Sequence, residues 1–195
     1  MNNKRDENII KKIGNLGLYL IQGDITQIPT DAIMAAINSN GLWFGKIDGA
    51  IQRVAGNQYH LQAVAAMPLS NLQAVVARGS AANHGGKFND VVFIVDDLQS
   101  SLDKVVYSGL EAAHEEGYNQ VLIPAIRMRV MAGAVEESPQ ETIANLGRGI
   151  EEFMRNYGQQ TRLEKLTVVV HRDQNAVRQS AADWPAYNLL GRKII

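Results

Sequence analysis

The chain has no cysteine among its 195 residues. That absence excludes disulfides, thiol nucleophiles and thiolate metal sites, though it does not fix a compartment. An excess of charge of one sign is missing too: 19 Lys and Arg stand against 20 Asp and Glu, a net charge of -1. The electrostatic case for general nucleic-acid or acidic-membrane binding is thereby removed. No apolar run reaches membrane-spanning length, and no apolar core near the N-terminus has the form of a signal peptide. A cytoplasmic protein without a membrane role is the expectation. The four histidines, His60, His84, His114 and His171, show no metal-ligand spacing, so no metal and no cofactor are expected. His84 beside Gly85-Gly86 reads as a turn residue, His171 as a strand end, and His60 and His114 as helix-surface residues. Neither a Walker loop, a G-x-G-x-x-G run nor a nucleophile elbow is found.

What is present is an α/β pattern. Apolar residues make up 46% and charged residues 20%, as in a globular domain large enough to bury a core. One domain over 1–195 is expected, with 1–14 a polar lead-in and 172–195 a C-terminal extension. Short apolar runs alternate with helical segments. Strands are predicted over 16–22, 31–37, 72–79, 90–97, 120–126 and 166–171, about six in all. The run DAIMAAI (31–37) is almost continuously apolar, as a strand covered on both faces should be. Helical spacing covers 47–67, with a break near Gly56-Asn57, and a stripe of Leu102, Val106, Leu110 and Ala113 ended by Gly117. The clearest helix is SPQETIANLGRGIEEFMRNYG (138–158). Ser138 is its N-cap, Pro139 takes the first position, Glu141 closes a capping box, and Gly158 stops it. These elements predict a three-layer α/β/α sandwich around a mixed sheet.

In open sheets of this kind ligands bind beyond the carboxyl ends of the strands. That places interest on Gly23-Asp24-Ile25, on the segment after Ile37, and on the segment after Ile126. The second of these, within MAAINSNGLWFGKIDGAIQRVAG (34–56), holds Trp43 and Phe44 where a phosphate loop would be rich in glycine. Taken alone, each residue has a plainer reading. Asp24 suits a turn cap, Asn38 a strand-end turn, and Asp48 the first turn of a helix. Trp43 and Phe44 suit packing, and Arg127 and Arg129 suit a solvated face.

The blocks IQGDITQIPTDAI and DGAIQRVAG, with Asn38 between them, resemble the macrodomain family. SLDKVVYSGLEAAHEEGYNQVLIPAI and the capped helix after it fit the family's last third, so the resemblance covers roughly 16–170. It implies the macrodomain fold and binding of ADP-ribose, a related adenine nucleotide or an ADP-ribosylated protein; some members also hydrolyse ADP-ribosyl bonds. Carried over residue by residue, Asp24 would accept from the adenine amino group, with the Ile25 N–H beside it. Asn38 would contact the distal ribose, and Asp48 would stand near that ribose and help activate water, so Asn38 and Asp48 are the catalytic pair of a hydrolytic member.

The sequence departs from the family at the phosphate loops. Ala35 replaces the first asparagine of the family run. Trp43 and Phe44 take two glycine positions, Gly45 keeps the third, and Lys46 takes the fourth. In the second loop Arg127-Met128-Arg129-Val130-Met131-Ala132 lacks both family glycines. Backbone amides that cradle a diphosphate need the close approach and positive φ that glycine permits. Here Lys46, Arg127 and Arg129 offer side-chain charge to the phosphates instead, with Ile47 and Val130 completing the ligand-facing loops. Three functions follow: nucleotide binding in a modified cleft, hydrolysis of ADP-ribosyl bonds through Asp48 and Asn38 or of ADP-ribose phosphates, or a scaffold plugged by Trp43 and Phe44 that acts through protein contacts.

Overall fold

The computed structural model describes residues 8–41, 46–128, 131–171, 187–188 and 192–193. Seven strands form one sheet: β1 (Asn8–Ile13), β2 (Leu16–Gln22), β3 (Thr30–Ile37), β4 (Ala74–Ala77), β5 (Phe88–Val95), β6 (Gln120–Pro124) and β7 (Lys165–Val170). Their order is β1-β2-β7-β6-β3-β5-β4. The five central strands are parallel, and the edge strands β1 and β4 run antiparallel to their neighbours. The helices are α1 (Lys46–Ala55), α2 (Gln58–Ala65), α3 (Leu102–Glu115) and α4 (Pro139–Tyr157). Two two-residue strands, Tyr187–Asn188 and Arg192–Lys193, pair separately.

The continuously apolar strands divide their side chains between two layers with period two. Ala32, Met34 and Ala36 of β3 join Val92 and Ile94 of β5 beneath α3 and α4. Ile33, Ala35 and Ile37 join Val91, Phe93 and Val95 beneath α1 and α2. Ala35 is thus a fully buried core residue. Helices α3 and α4 cross closely at Gly149, where a Cβ would stand 2.4 Å from the Asp103 carbonyl oxygen. Only glycine allows that approach. Among the described residues no helix is long and apolar enough to cross a membrane.

Helix signals in the sequence have direct counterparts. Ser138 Oγ accepts from the Glu141 N–H (3.1 Å), while Glu141 Oε2 takes the Glu137 N–H (2.8 Å), one residue earlier than the usual box. The predicted break at Gly56-Asn57 separates α1 from α2, and Gly56 has φ +63.

Three expectations need correction. Residues 8–13 are not part of a lead-in but form the edge strand β1, making seven strands rather than six. Ile10 and Ile13 pack against the core and Lys11 Nζ meets Glu151 Oε1 at 3.0 Å; a six-residue run without alternation, broken by a register shift between Ile9 and Lys11, is a weak signal for a strand. His60 is buried on α2 rather than on its surface. His114 is half-buried, its ring 4.7 Å from that of Tyr157. His84 lies in the predicted turn, where Nδ1 accepts the Gly86 N–H (3.0 Å) and Nε2 meets the Tyr59 hydroxyl (2.8 Å). Burial lowers its pKa.

Candidate functional site at the carboxyl edge

All five parallel strands end at one edge, and the segments that follow β2, β3 and β6 carry the predicted site residues. After β2 the Gly23 N–H donates to the Val170 carbonyl (3.0 Å), which ties this corner to the neighbouring strand. Asp24 then caps a short 3-10 turn, Ile25–Gln27. Its Oδ1 accepts from Thr26 N–H (3.0 Å) and Thr26 Oγ1 (2.8 Å). The carboxylate is exposed while Thr26 is fully buried, so a buried residue orients an open acceptor. Ile25 turns its side chain into the apolar layer beside Ile51.

After β3, Asn38 begins a turn. Its Oδ1 accepts from Asn40 N–H (3.1 Å), and its carbonyl accepts from Gly41 N–H (2.9 Å). Gly41 has φ +71. Ser39 N–H donates to Asp97 Oδ1 (2.8 Å), which pins this turn to the loop after β5. Asn38 is half-buried.

Asp48 lies in the first turn of α1, the end of a helix where a negative charge is favoured. Its Oδ1 is hydrogen-bonded to His60 Nε2 of α2. The Asp48 side chain keeps 23% of its surface open, the His60 side chain 8%. Ile47 beside it packs against the layer beneath α1 and α2. Helix α1 also rests on the 3-10 turn that Asp24 caps, so Asp24 and Asp48 belong to adjoining elements of the same edge. Lys46 opens α1. Trp43, Phe44, Gly45, Arg129 and Val130 lie outside the described residues, and with them the expectation of a plugged cleft.

Arg127 departs from its expected role. Its guanidinium is buried, with 1% of the side chain open, and faces inward rather than toward a phosphate. Nε and Nη2 donate to Asp96 Oδ2 (2.9 Å) and Oδ1 (2.5 Å). Nη1 donates to both Glu136 oxygens (3.0 and 3.1 Å), and Nη2 to the Ser100 carbonyl (2.8 Å). The five hydrogen bonds of the fork are accepted by the two carboxylates that converge on it and by the Ser100 carbonyl. The backbone accommodates the turn with φ +59 at Arg127. Glu136 also accepts from the Leu102 N–H (2.8 Å) and the Asn145 amide (3.1 Å), which fastens the ends of α3 and α4 to the cluster. Burial pushes the Glu136 carboxyl up, but the Leu102 N–H, the Asn145 amide and Arg127 outweigh it and hold the pKa below the ordinary value. Burial opposes the charge on Arg127 as well; Asp96 and Glu136 overcome it and raise its pKa.

Sequence reasoning missed His60, Asp96, Asp97 and Glu136. Asp96-Asp97 at a strand end was a legible signal of a polar edge. His60 stands twelve residues from Asp48 on another helix, and no local pattern marks it. Among the described residues no group of His, Asp and Glu has the arrangement of a metal site.

No family model matches the chain. An O-acetyl-ADP-ribose deacetylase of Cronobacter turicensis is 31% identical over 126 residues, covering 56% of this chain and 66% of that protein. The chain thus spans just under two thirds of that relative's length. An uncharacterized protein of Aquifex aeolicus is 27% identical over 157 residues, covering 79% of this chain and 90% of its own length. Among solved structures, a Trypanosoma brucei macrodomain in complex with ADP-ribose superposes with a TM-score of 0.70 at 17% identity, covering 91% of this chain and 74% of that one. The strand order, the layering of the helices and this superposition agree: in fold the chain is a macrodomain.

Proposed function

We propose that the chain binds ADP-ribose or a related adenine nucleotide at the carboxyl edge of its parallel strands. The observation that carries this reading is Asp24: an exposed carboxylate held by a fully buried threonine at the end of β2, next to α1. A fixed acceptor on a rigid strand end suits an exocyclic amino group, because its orientation is set before the ligand arrives. Asn38 and Asp48 supply polar atoms on the adjoining loop for a ribose. Arg127 has no part in phosphate contact in this reading; Lys46 and Arg129 remain as the cations offered to the diphosphate, together with main-chain amides of the two loops. The likeness to a macrodomain solved with ADP-ribose supports the ligand class. An ADP-ribosylated protein as a larger form of the same ligand, and a cytoplasmic setting, belong to the same reading.

Calorimetric titration of ADP-ribose tests it, with AMP for comparison and Asp24→Ala as the control. Saturable binding that weakens at least tenfold in D24A is expected. Absence of binding to ADP-ribose and to AMP by a folded protein rejects the reading.

A second reading is favoured by the hydrogen bond between Asp48 and His60 and by the deacetylase named among the relatives. In it the protein hydrolyses an ester or glycosidic bond on the distal ribose. Water loses a proton to Asp48, its oxygen bonds to the attacked carbon, the bond to the leaving oxygen breaks, and that oxygen takes the proton back from Asp48 as it leaves. Asn38 holds the ribose. Release of acetate or of free ADP-ribose from the matching substrate, lost in Asp48→Ala, is the expected result.

A further inference from the structure

We propose that His60 is the positioning residue of the hydrolytic site, holding Asp48 through its Nε2–H so that the second carboxylate oxygen faces the reacting water. The proposal rests on the hydrolytic reading above. Helix α1 has a residue of its own that could reach Asp48 one turn on. That residue is Gln52, whose amide donates instead to Asn57 Oδ1 (3.3 Å) at the break between α1 and α2. The partner of Asp48 therefore comes from α2, across the break. His60 is 6% exposed and its ring lies tilted against that of Phe93 on β5, 6.2 Å between centroids. A ring so enclosed cannot reach a substrate. Its contact with Asp48 is made where the carboxylate passes from the interior to the open edge, and among the described residues His60 is the group that hydrogen-bonds that carboxylate.

This arrangement has a chemical consequence. A carboxylate at a helix start has several rotamers, and a general base acts only from the one aimed at its water. Donation from His60 to Oδ1 selects one rotamer and leaves Oδ2 as the acceptor. The ring nitrogen that points at Asp48 must carry a proton for this to work, so the neutral ring is the Nε2–H tautomer.

The test compares wild type with His60→Leu and His60→Gln on ADP-ribose binding and on single-turnover hydrolysis of O-acetyl-ADP-ribose. Glutamine keeps a donor near the place of Nε2, and leucine removes it while filling the space. The expected result is a fall of about ten- to hundredfold in kcat for H60L, with ADP-ribose affinity within about twofold of wild type and most of the rate restored in H60Q. An unchanged rate per folded molecule in H60L overturns the proposal while leaving the hydrolytic reading intact. Wild type that binds ADP-ribose without turnover rejects the hydrolytic reading, and the positioning role with it. Nitrogen-15 spectra of the His60 ring give a readout independent of activity: Nε2 protonated is expected, and a bare Nε2 overturns the proposal.

Discussion

Two charged clusters stand at the same edge of the sheet, and they differ in closure. Around Arg127 every donor of the guanidinium is taken, two carboxylates converge on it, and the ensemble is buried. Around Asp48 a single buried imidazole holds one oxygen of a carboxylate that remains partly open. Charge that is buried has to be satisfied internally, because its desolvation costs several kcal/mol per ion. Charge left partly open keeps an acceptor free for a ligand. The first cluster joins the loops after β5 and β6 to α3 and α4; the second leaves an acceptor open, as the proposed site requires. Completeness of hydrogen bonding, rather than the presence of charge, separates the two.

The comparison breaks most sharply at Arg127. Replacing it in Arg127→Met leaves Asp96 and Glu136 buried together without their cation, and a loss of about 3–5 kcal/mol is expected from breaking a buried pair. Urea denaturation reads it as a fall in the midpoint. Little change would place Arg127 among the surface charges after all.

Acid sharpens the same contrast. The Glu136 pKa is held below its ordinary value near 4.5. A carboxyl lowered in the folded state stabilises above the unfolded value, and that contribution is lost as pH falls through the folded value. Glu136→Gln is therefore less stable than wild type at about pH 6, and the gap narrows toward about pH 3. A gap that stays constant with pH contradicts the ionised state of Glu136 in the cluster.

On the open side, effects on stability are small and effects on ligand are large. Asp24→Ala removes a turn cap, worth about 1 kcal/mol, while lowering ADP-ribose affinity tenfold or more. Asp48→Asn changes stability least, by less than about 1 kcal/mol, since the asparagine Oδ1 still accepts from His60 Nε2–H and only the charge is lost; thermal melting checks this. A cost as large as that of R127M would make the Asp48–His60 pair a structural one.

Much of the fold was legible because it rests on local periodicity. Runs such as AIMAAI (32–37) and VVFIV (91–95) are apolar at every position because both faces of their strands are covered, and Ser138, Pro139 and Glu141 mark a helix start by chemistry confined to four residues. Strand β1 escaped notice because NIIKKI has polar residues at three of its six positions and no regular alternation, and only its pairing with β2 makes it a strand. Asp24 was legible as a turn cap, and the structure shows it capping the 3-10 turn; its role toward a ligand is the proposal above. Arg127 was misjudged for a different reason. Its partners Asp96 and Glu136 lie 31 and 9 residues away, and nothing near Arg127 in the chain indicates that its side chain turns inward.

The sequence by itself determined most of the elements, their caps and the α/β class of the sheet, since these follow from periods of two and 3.6 and from residues with special backbone angles. Only the tertiary structure decided which charges at that edge are enclosed. Enclosure depends on what distant segments bring within 3 Å, and the same arginine or aspartate reads alike in the chain whether its partner is water, a ligand or a buried carboxylate.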